Sequence, residues 1–190
     1  TESILNEIKI NSTSDLEFLY VFHFAWGGNG KLSDNDVESQ FRNVTRTNNI
    51  LNLAITLGAK RFIFCGTMEE YFAEEYTKLN YEIDNKYNRH VIYALAKICA
   101  KNLLKLRAIN EPIDILYGTN SHIIGLDDDK DSFLQVCLIK LIKGEKIDMS
   151  SGVQNFDVLH VSDCAAAYVA IAERGQRNSS YWVGSGRPRA

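Results

Sequence analysis

Tyr93 and Lys97 lie one helical turn apart in Val91-Ile92-Tyr93-Ala94-Leu95-Ala96-Lys97-Ile98-Cys99-Ala100-Lys101. Ala, Leu and Lys dominate there, and apolar residues recur at helical spacing, so the segment predicts a helix. A separation of four puts the phenol and the ammonium on one face. A cation beside a phenol favours phenolate and lowers the tyrosine pKa, which suits proton exchange with a substrate hydroxyl near neutral pH. The alternative is a surface lysine one turn after a half-buried tyrosine. With nine tyrosines in the chain, chance supplies roughly half a Tyr-x-x-x-Lys match, so the surrounding elements must decide.

Those elements alternate strand and helix. Residues 16–25 are almost continuously apolar and aromatic, as a buried parallel strand would be, and end at the turn Trp26-Gly27-Gly28-Asn29-Gly30. A short helix is expected before them, over residues 3–10. Ser33-Asp34-Asn35-Asp36 offers caps for a helix over residues 37–57, with Gly58 at its C-terminus. Residues 61–65 predict a strand closed by Gly66-Thr67, and residues 68–90 a polar loop. The helix of Tyr93 then runs to about residue 109, and residues 112–117 form a third strand that breaks at Gly118 to His122. Such βαβ units have right-handed crossovers and bind ligands at the carboxyl ends of their strands. Past residue 120 the pattern changes. An acidic loop over 127–131 lacks the closing glutamate of a calcium loop. A helix over 133–142, a strand over 156–161 and a helix from Cys164, capped by Ser162-Asp163, follow.

Composition narrows the function class. A hydrophobic share of 45% and a charged share of 24% are those of a soluble globular protein. The net charge of −3, with no basic block, argues against a nucleic-acid partner. No apolar run reaches the length of a membrane span, and the first residues do not resemble a signal peptide. Cys65, Cys99, Cys137 and Cys164 are widely spaced in apolar stretches and predict buried free thiols in a reducing, cytoplasmic setting. The four histidines, His23, His90, His122 and His160, have no metal-site spacing, so each is expected as a satisfied histidine and no metal is expected.

The strand over 61–65 delivers Thr67 to the carboxyl edge of the sheet, and the next helix carries Tyr93 and Lys97. In this constellation the chain resembles the extended short-chain dehydrogenases, the NAD-dependent epimerase/dehydratase family acting on nucleotide sugars, over about residues 15–188. His23-Phe24-Ala25-Trp26 is similar to the family's His-x-Ala-Ala strand end. Asn43-Val44-Thr45-Arg46-Thr47-Asn48-Asn49 is similar to its Asn-Val-x-Gly-Thr-x-Asn helix. Asp157-Val158-Leu159-His160-Val161-Ser162-Asp163-Cys164-Ala165 resembles its late Asp-Phe-x-His-Val-x-Asp-x-Ala signature. Tyr93 and Lys97 follow Thr67 at the family's separation.

The resemblance implies an α/β fold: a Rossmann-like parallel sheet flanked by helices over residues 1–120, truncated at its N-terminus. It implies part of a small substrate-binding region over 121–190, from which one strand and helix return to the core. The implied cofactor is NAD or NADP, and the implied reaction is epimerisation, 4-keto reduction or dehydration of a nucleotide-diphosphate sugar. Tyr93 would be the acid/base on a sugar hydroxyl. Lys97 would hold the nicotinamide ribose and lower the pKa of Tyr93, and Thr67 would bond the same sugar oxygen. Glu69 is a further catalytic candidate, the alternative being a solvated loop carboxylate. Ala25, Trp26, Asn43, Tyr93, Lys97 and Asn120 are the expected cofactor contacts. Trp26, Glu69, Glu70, Asn120, Ser121 and His122 are the expected substrate contacts. The helices over 37–57 and 91–109 resemble those that pair into a homodimer bundle.

Departures from the family pattern set further expectations. There is no Gly-x-x-Gly-x-x-Gly fingerprint to cradle a pyrophosphate, and Gly27-Gly28-Asn29-Gly30 follows the wrong strand. The chain is therefore expected to be a fragment of a longer enzyme and to bind dinucleotide poorly. Arg46 and Phe156 stand where glycine and arginine are common. Met68, beside Glu69, has no proton to donate, which argues against an Asp-Glu dehydratase and toward an epimerase or 4-keto reductase. The competing reading is a non-catalytic Rossmann-like module used for binding or assembly.

Overall fold

The computed structural model describes residues 19–28, 36–78, 90–125, 132–147 and 155–189. The helix expected over 3–10, the first residues of the first strand, the caps Ser33 to Asn35 and the acidic loop over 127–131 lie outside the described residues. The elements are β1 (Tyr20–His23), α1 (Val37–Thr56), β2 (Arg61–Thr67), α2 (Glu69–Thr77), α3 (Val91–Arg107), β3 (Asp114–Asn120), β4 (His122–Ile124), α4 (Phe133–Ile142), β5 (Val158–His160), α5 (Val161–Arg174) and β6 (Ser180–Val183). One parallel sheet runs β1-β2-β3-β6, and β4 pairs with β5 in a second, smaller parallel sheet. This is the expected α/β, Rossmann-like arrangement.

The near-continuous apolar character of β2 and β3 follows from burial on both faces. Phe62, Phe64, Ile115 and Tyr117 pack against Leu51 and Ala54 of α1 and Ala100 and Leu104 of α3. Ile63 and Leu116 turn the other way, against Cys164, Tyr168 and Ile171 of α5 and Val183 of β6. Asp36 caps α1, its carboxylate accepting from Ser39 N at 3.0 Å. After the last turn of α1, Gly58 takes φ +71°, a conformation that suits glycine, and Ala59 N returns to Ala54 O. Arg107, near the end of α3, holds Asn48 and Asn52 of α1 at 2.6 and 3.0 Å. Thus the two long helices are tied to one another on one face of the sheet.

Several boundaries differ from the expectations, each for a physical reason. Pro112 has no N–H to give a ladder, and the third strand starts at Asp114. Both β2 and β3 run two or three residues further than expected, through Thr67 and Asn120, which are partners in register. The polar segment after Thr67 contains α2. The strand expected over 156–161 reduces to β5 and pairs with β4, outside the main sheet. The strand that returns to the core is β6, beside β3. Helix α5 begins at Val161 and is capped by the His160 ring, which accepts from Ser162 N, in place of Ser162-Asp163. Of the four free thiols only Cys164 is buried; Cys65 and Cys137 are half-buried, and Cys99 is exposed on α3. Among the described residues, no helix is long and apolar enough to cross a membrane.

His23 ends β1 in the core, 6% exposed, with Nε2 at 2.9 Å from Thr47 Oγ1. Thr47 in turn donates to Asn43 O. Burial, aided by the charge of Lys97, holds the His23 pKa down at about 4 against an ordinary 6.5. Below 6.5 the unfolded chain takes up a proton that the folded chain refuses until about 4. Stability is therefore predicted to fall as pH drops across that window, by about 3 kcal/mol. Urea denaturation of wild type and His23→Gln across the window checks this: the variant should lose most of the pH dependence, and parallel curves would exclude His23 as its source.

Candidate active site

The site forms where the carboxyl end of β2 meets the first turns of α3. Thr67 is the last residue of β2, and its hydroxyl lies near enough to the phenol of Tyr93 to favour the phenolate. Thr67 Oγ1 accepts from Glu69 N at 3.4 Å. Lys97, one turn further along α3, sends its Nζ to Cys65 O of β2 at 2.8 Å. Thr67, Tyr93 and Lys97, expected to converge at this edge of the sheet, lie within one small volume.

Their electrostatics differ from the expected form. Lys97 is 4% exposed, and its Nζ lies 4.1 Å from the Trp26 ring centroid, 5.2 Å from that of Phe64 and 5.9 Å from that of Tyr93. Burial lowers the Lys97 pKa, while the neighbouring Cys65 and Glu70 oppose that. The Tyr93 pKa is not lowered. Burial pushes it up to about 12, against the help of the nearby Thr67 hydroxyl, and Cys65, Glu69 and Glu70 add to the rise. The ammonium is aimed at a backbone carbonyl and an indole face, not at the phenol oxygen, so desolvation decides.

Trp26 covers the pair from the β1 side. Its ring meets Tyr93 edge-on at 6.1 Å, and its Nε1 donates to Gln40 Oε1 at 2.8 Å. Gln40, buried on α1, donates to Gly28 O at 3.0 Å. Asn43, expected at the cofactor, instead spends its amide on the turn: Oδ1 accepts from Gly27 N at 3.0 Å and Nδ2 donates to Gly27 O at 2.8 Å. Asn43 and Gln40 therefore set the turn that places Trp26. Ala25 is exposed at the end of β1.

The carboxylates divide. Glu69 Oε1 lies 3.1 Å from His90 Nδ1, and Oε2 accepts from the Tyr76 hydroxyl. Burial raises the Glu69 pKa, but these bonds and the charges of His90 and His122 outweigh it and leave it below the usual range. Glu70, expected to meet substrate, is turned inward with its side chain 5% exposed, bonded to Thr67 N at 2.9 Å and Lys101 Nζ at 3.0 Å. Asn120 also faces inward. Its Oδ1 accepts from Tyr168 OH at 2.8 Å and its Nδ2 lies 3.3 Å from Cys65 Sγ, on the α5 side of the sheet. Just beyond, Ser121 Oγ and His122 Nδ1, together with Thr119 Oγ1, are buried with no hydrogen-bond partner among the described residues.

Such orphans are costly unless a polar group meets them. Their polar character fits the ribose and amide end of a nicotinamide dinucleotide, as does that of Tyr93 and Lys97. The pyrophosphate end finds no comparable cradle among the described residues, because the Gly27 amide is already given to Asn43. Sequence reasoning also missed a cleft of about 430 Å³ beside Met68, lined by Tyr71, Phe72, Asp157 and Trp182. Its signal was the exposed aromatic pair: Tyr71 and Trp182 meet edge-on at 5.8 Å. Asp157 holds the cleft wall by accepting from Trp182 Nε1 and Ser185 N, both at 2.8 Å.

The pattern of the NAD dependent epimerase/dehydratase family matches residues 5–184. The chain belongs to that family. A search of curated protein sequences returned no match. Among solved structures it is similar to UDP-N-acetylglucosamine 4-epimerase from Methanobrevibacter ruminantium M1 in complex with UDP-N-acetylmuramic acid, at 18% identity and a TM-score of 0.71. That match covers 90% of this chain and 56% of the other. It is also similar to dTDP-glucose 4,6-dehydratase from Bacillus anthracis str. Ames in complex with NAD, at 16% identity and a TM-score of 0.68. There the match covers 100% of this chain and 57% of the other. UDP-glucose 4-epimerase from Thermotoga maritima, with UDP-glucose, gives 19% identity, a TM-score of 0.69 and coverage of 90% and 56%. This chain thus spans a little over half the length of these enzymes.

The shielding of Lys97 predicts a chemical result. Trp26→Ala should speed labelling of the Lys97 amine by at least about tenfold, because the reagent gains access to a nitrogen that the indole now covers. Mass spectrometry of partially acetylated protein measures this, and equal labelling of Lys97 in both proteins would show that the indole does not shield it.

Proposed function

We propose that the protein is the catalytic part of an NAD(P)-dependent enzyme acting on a nucleotide-diphosphate sugar. The observation that carries this reading is the gathering of the Thr67 hydroxyl and the Tyr93 phenol at the end of β2, one turn from a buried Lys97 bonded to Cys65 O. The dinucleotide, when bound, supplies the hydride acceptor or donor. Tyr93 holds a proton at its phenol oxygen at neutral pH, since its pKa is pushed up to about 12. It is therefore set to give that proton to a sugar oxygen on which negative charge develops. Thr67 lies beside the same phenol and orients it. Lys97 holds the ribose. Ser121 and His122 offer unpaired polar atoms to the ligand, and the aromatic cleft of Tyr71, Phe72 and Trp182 takes the nucleotide part of the substrate.

Among the possible reactions, epimerisation or 4-keto reduction fits better than dehydration. Glu69 is held by His90 and Tyr76, and Met68 beside it has no proton to give. The exposed apolar residues Val37 and Phe41 of α1 and Leu95 and Leu106 of α3 support a homodimer through those helices. The free thiols fit a cytoplasmic setting. We place the substrate-binding region in residues 121–190 and the cofactor core in 1–120. One observation favours the other reading, a non-catalytic binding module: the Gly27 amide is engaged by Asn43, not open to a phosphate.

Turnover of a panel of nucleotide sugars, with calorimetric titration of NAD(H) and NADP(H), separates the two readings. In an active preparation Tyr93→Phe should lower kcat at least about hundredfold and leave dinucleotide affinity within about threefold of wild type. Near-normal turnover in that variant would falsify the assignment of Tyr93. Absence of both dinucleotide binding and turnover would favour the binding module.

A further inference from the structure

Glu70 and Lys101 lie behind the site, and neither faces an open ligand space. Glu70 Oε1 accepts from Thr67 N at 2.9 Å, while Thr67 Oγ1 accepts from Glu69 N at 3.4 Å. The pair has the Thr-x-x-Glu spacing of a capping box but only half of its pattern, because Thr67 Oγ1 meets Glu69 N rather than Glu70 N and the N-cap of α2 is Met68. The second oxygen of Glu70 is taken by Lys101 Nζ at 3.0 Å. Both side chains are largely buried, at 5% and 14% exposure. Lys101 follows Lys97 by one turn and Tyr93 by two, so the ion pair links the strand end to the helix that carries the phenol. Gly66 makes room for the link, since a Cβ there would lie 2.5 Å from Glu70 Oε1.

We infer that Glu70, locked by Lys101, is a positioning residue that fixes Thr67 against Tyr93. The inference rests on the acid/base reading of Tyr93 given above. Thr67 is the last residue of its strand, paired in register with Asn120. Its backbone N–H is held by the Glu70 carboxylate, and that carboxylate is held by a group on the helix of Tyr93. Shifts of α3 against β2 are therefore resisted at the position where the hydroxyl meets the phenol. A cap that only stabilised α2 would need no lysine from α3. Removing one member of a buried pair leaves the other charge uncompensated, so both members are needed to keep the geometry.

Hydrogen exchange at the Thr67 amide, followed by NMR on the full chain, reads this link without turnover. Glu70→Ala and Lys101→Met are expected to speed that exchange by about tenfold or more, with the amides of Ile63 and Leu116 as core references that stay protected. Glu70→Gln keeps an oxygen for Thr67 N and should stay within about threefold of wild type. In an active preparation Glu70→Ala should lower kcat by about tenfold to hundredfold with KM within about twofold, and Glu70→Gln should recover most of the loss. Unchanged Thr67 exchange in Glu70→Ala overturns the inference, as does a loss shared equally by Ile63 and Leu116, or a defect confined to KM. If Tyr93→Phe kept normal turnover, the acid/base reading would fail on its own, and the Thr67 exchange would still decide whether the link holds the strand end.

Discussion

A lysine ammonium that is 4% exposed must be solvated by the protein itself, and much of the site follows from how this chain does so. The Cys65 carbonyl gives Lys97 one acceptor at 2.8 Å. The remaining directions are covered by π-faces, chiefly Trp26 at 4.1 Å, which attract a cation without offering it a carboxylate. Keeping Trp26 in that place requires a fixed turn after β1. The turn is fixed by Gln40 and Asn43, two buried amides of α1. One charge therefore links β1, α1, β2 and α3.

The same burial controls Tyr93. In water a lysine one turn away would tip a phenol toward its anion. Here the phenol is desolvated, carboxylates stand nearby, and the lysine points elsewhere, so the phenol keeps its proton. The phenol is therefore protonated at neutral pH, and its proton affinity is set by burial and by the carboxylates beside it.

The fold was legible in the sequence because strands buried on both faces leave unbroken apolar runs, as in residues 62–65, and because Asp36 and Gly58 mark the ends of α1. The three-residue set Thr67, Tyr93 and Lys97 was legible from motif order. The inward turn of Glu70 was hidden, since a glutamate in a charged stretch reads as solvated until its partner is known, and Lys101 is 31 positions away. The Thr-x-x-Glu spacing was nevertheless present and could have revealed α2. Strand β6 escaped notice because its alternation of outward and inward side chains runs for only four residues, too few to stand out. The Lys97 contribution to Tyr93 was misjudged because sequence spacing gives the helical face but not the rotamer that aims the ammonium.

Helix α3 shows why one element can serve both core and site. Ala94, Ala96 and Ala100 are fully buried against the rest of the fold. Their small side chains let the helix backbone come close to the sheet, where larger residues would hold it away. That closeness is what allows Lys97 to reach a backbone carbonyl of β2 and Lys101 to reach Glu70. Tyr93, Lys97 and Lys101 recur every fourth residue, so all three project from one stripe of the helix toward the strand end. The alanines set the depth of that stripe, and the charged and phenolic groups use the depth. A chain with the same Tyr-x-x-x-Lys spacing on a helix of bulkier core residues would carry the motif without the contact, so it is the packing of the helix and not the spacing that fixes where these groups lie.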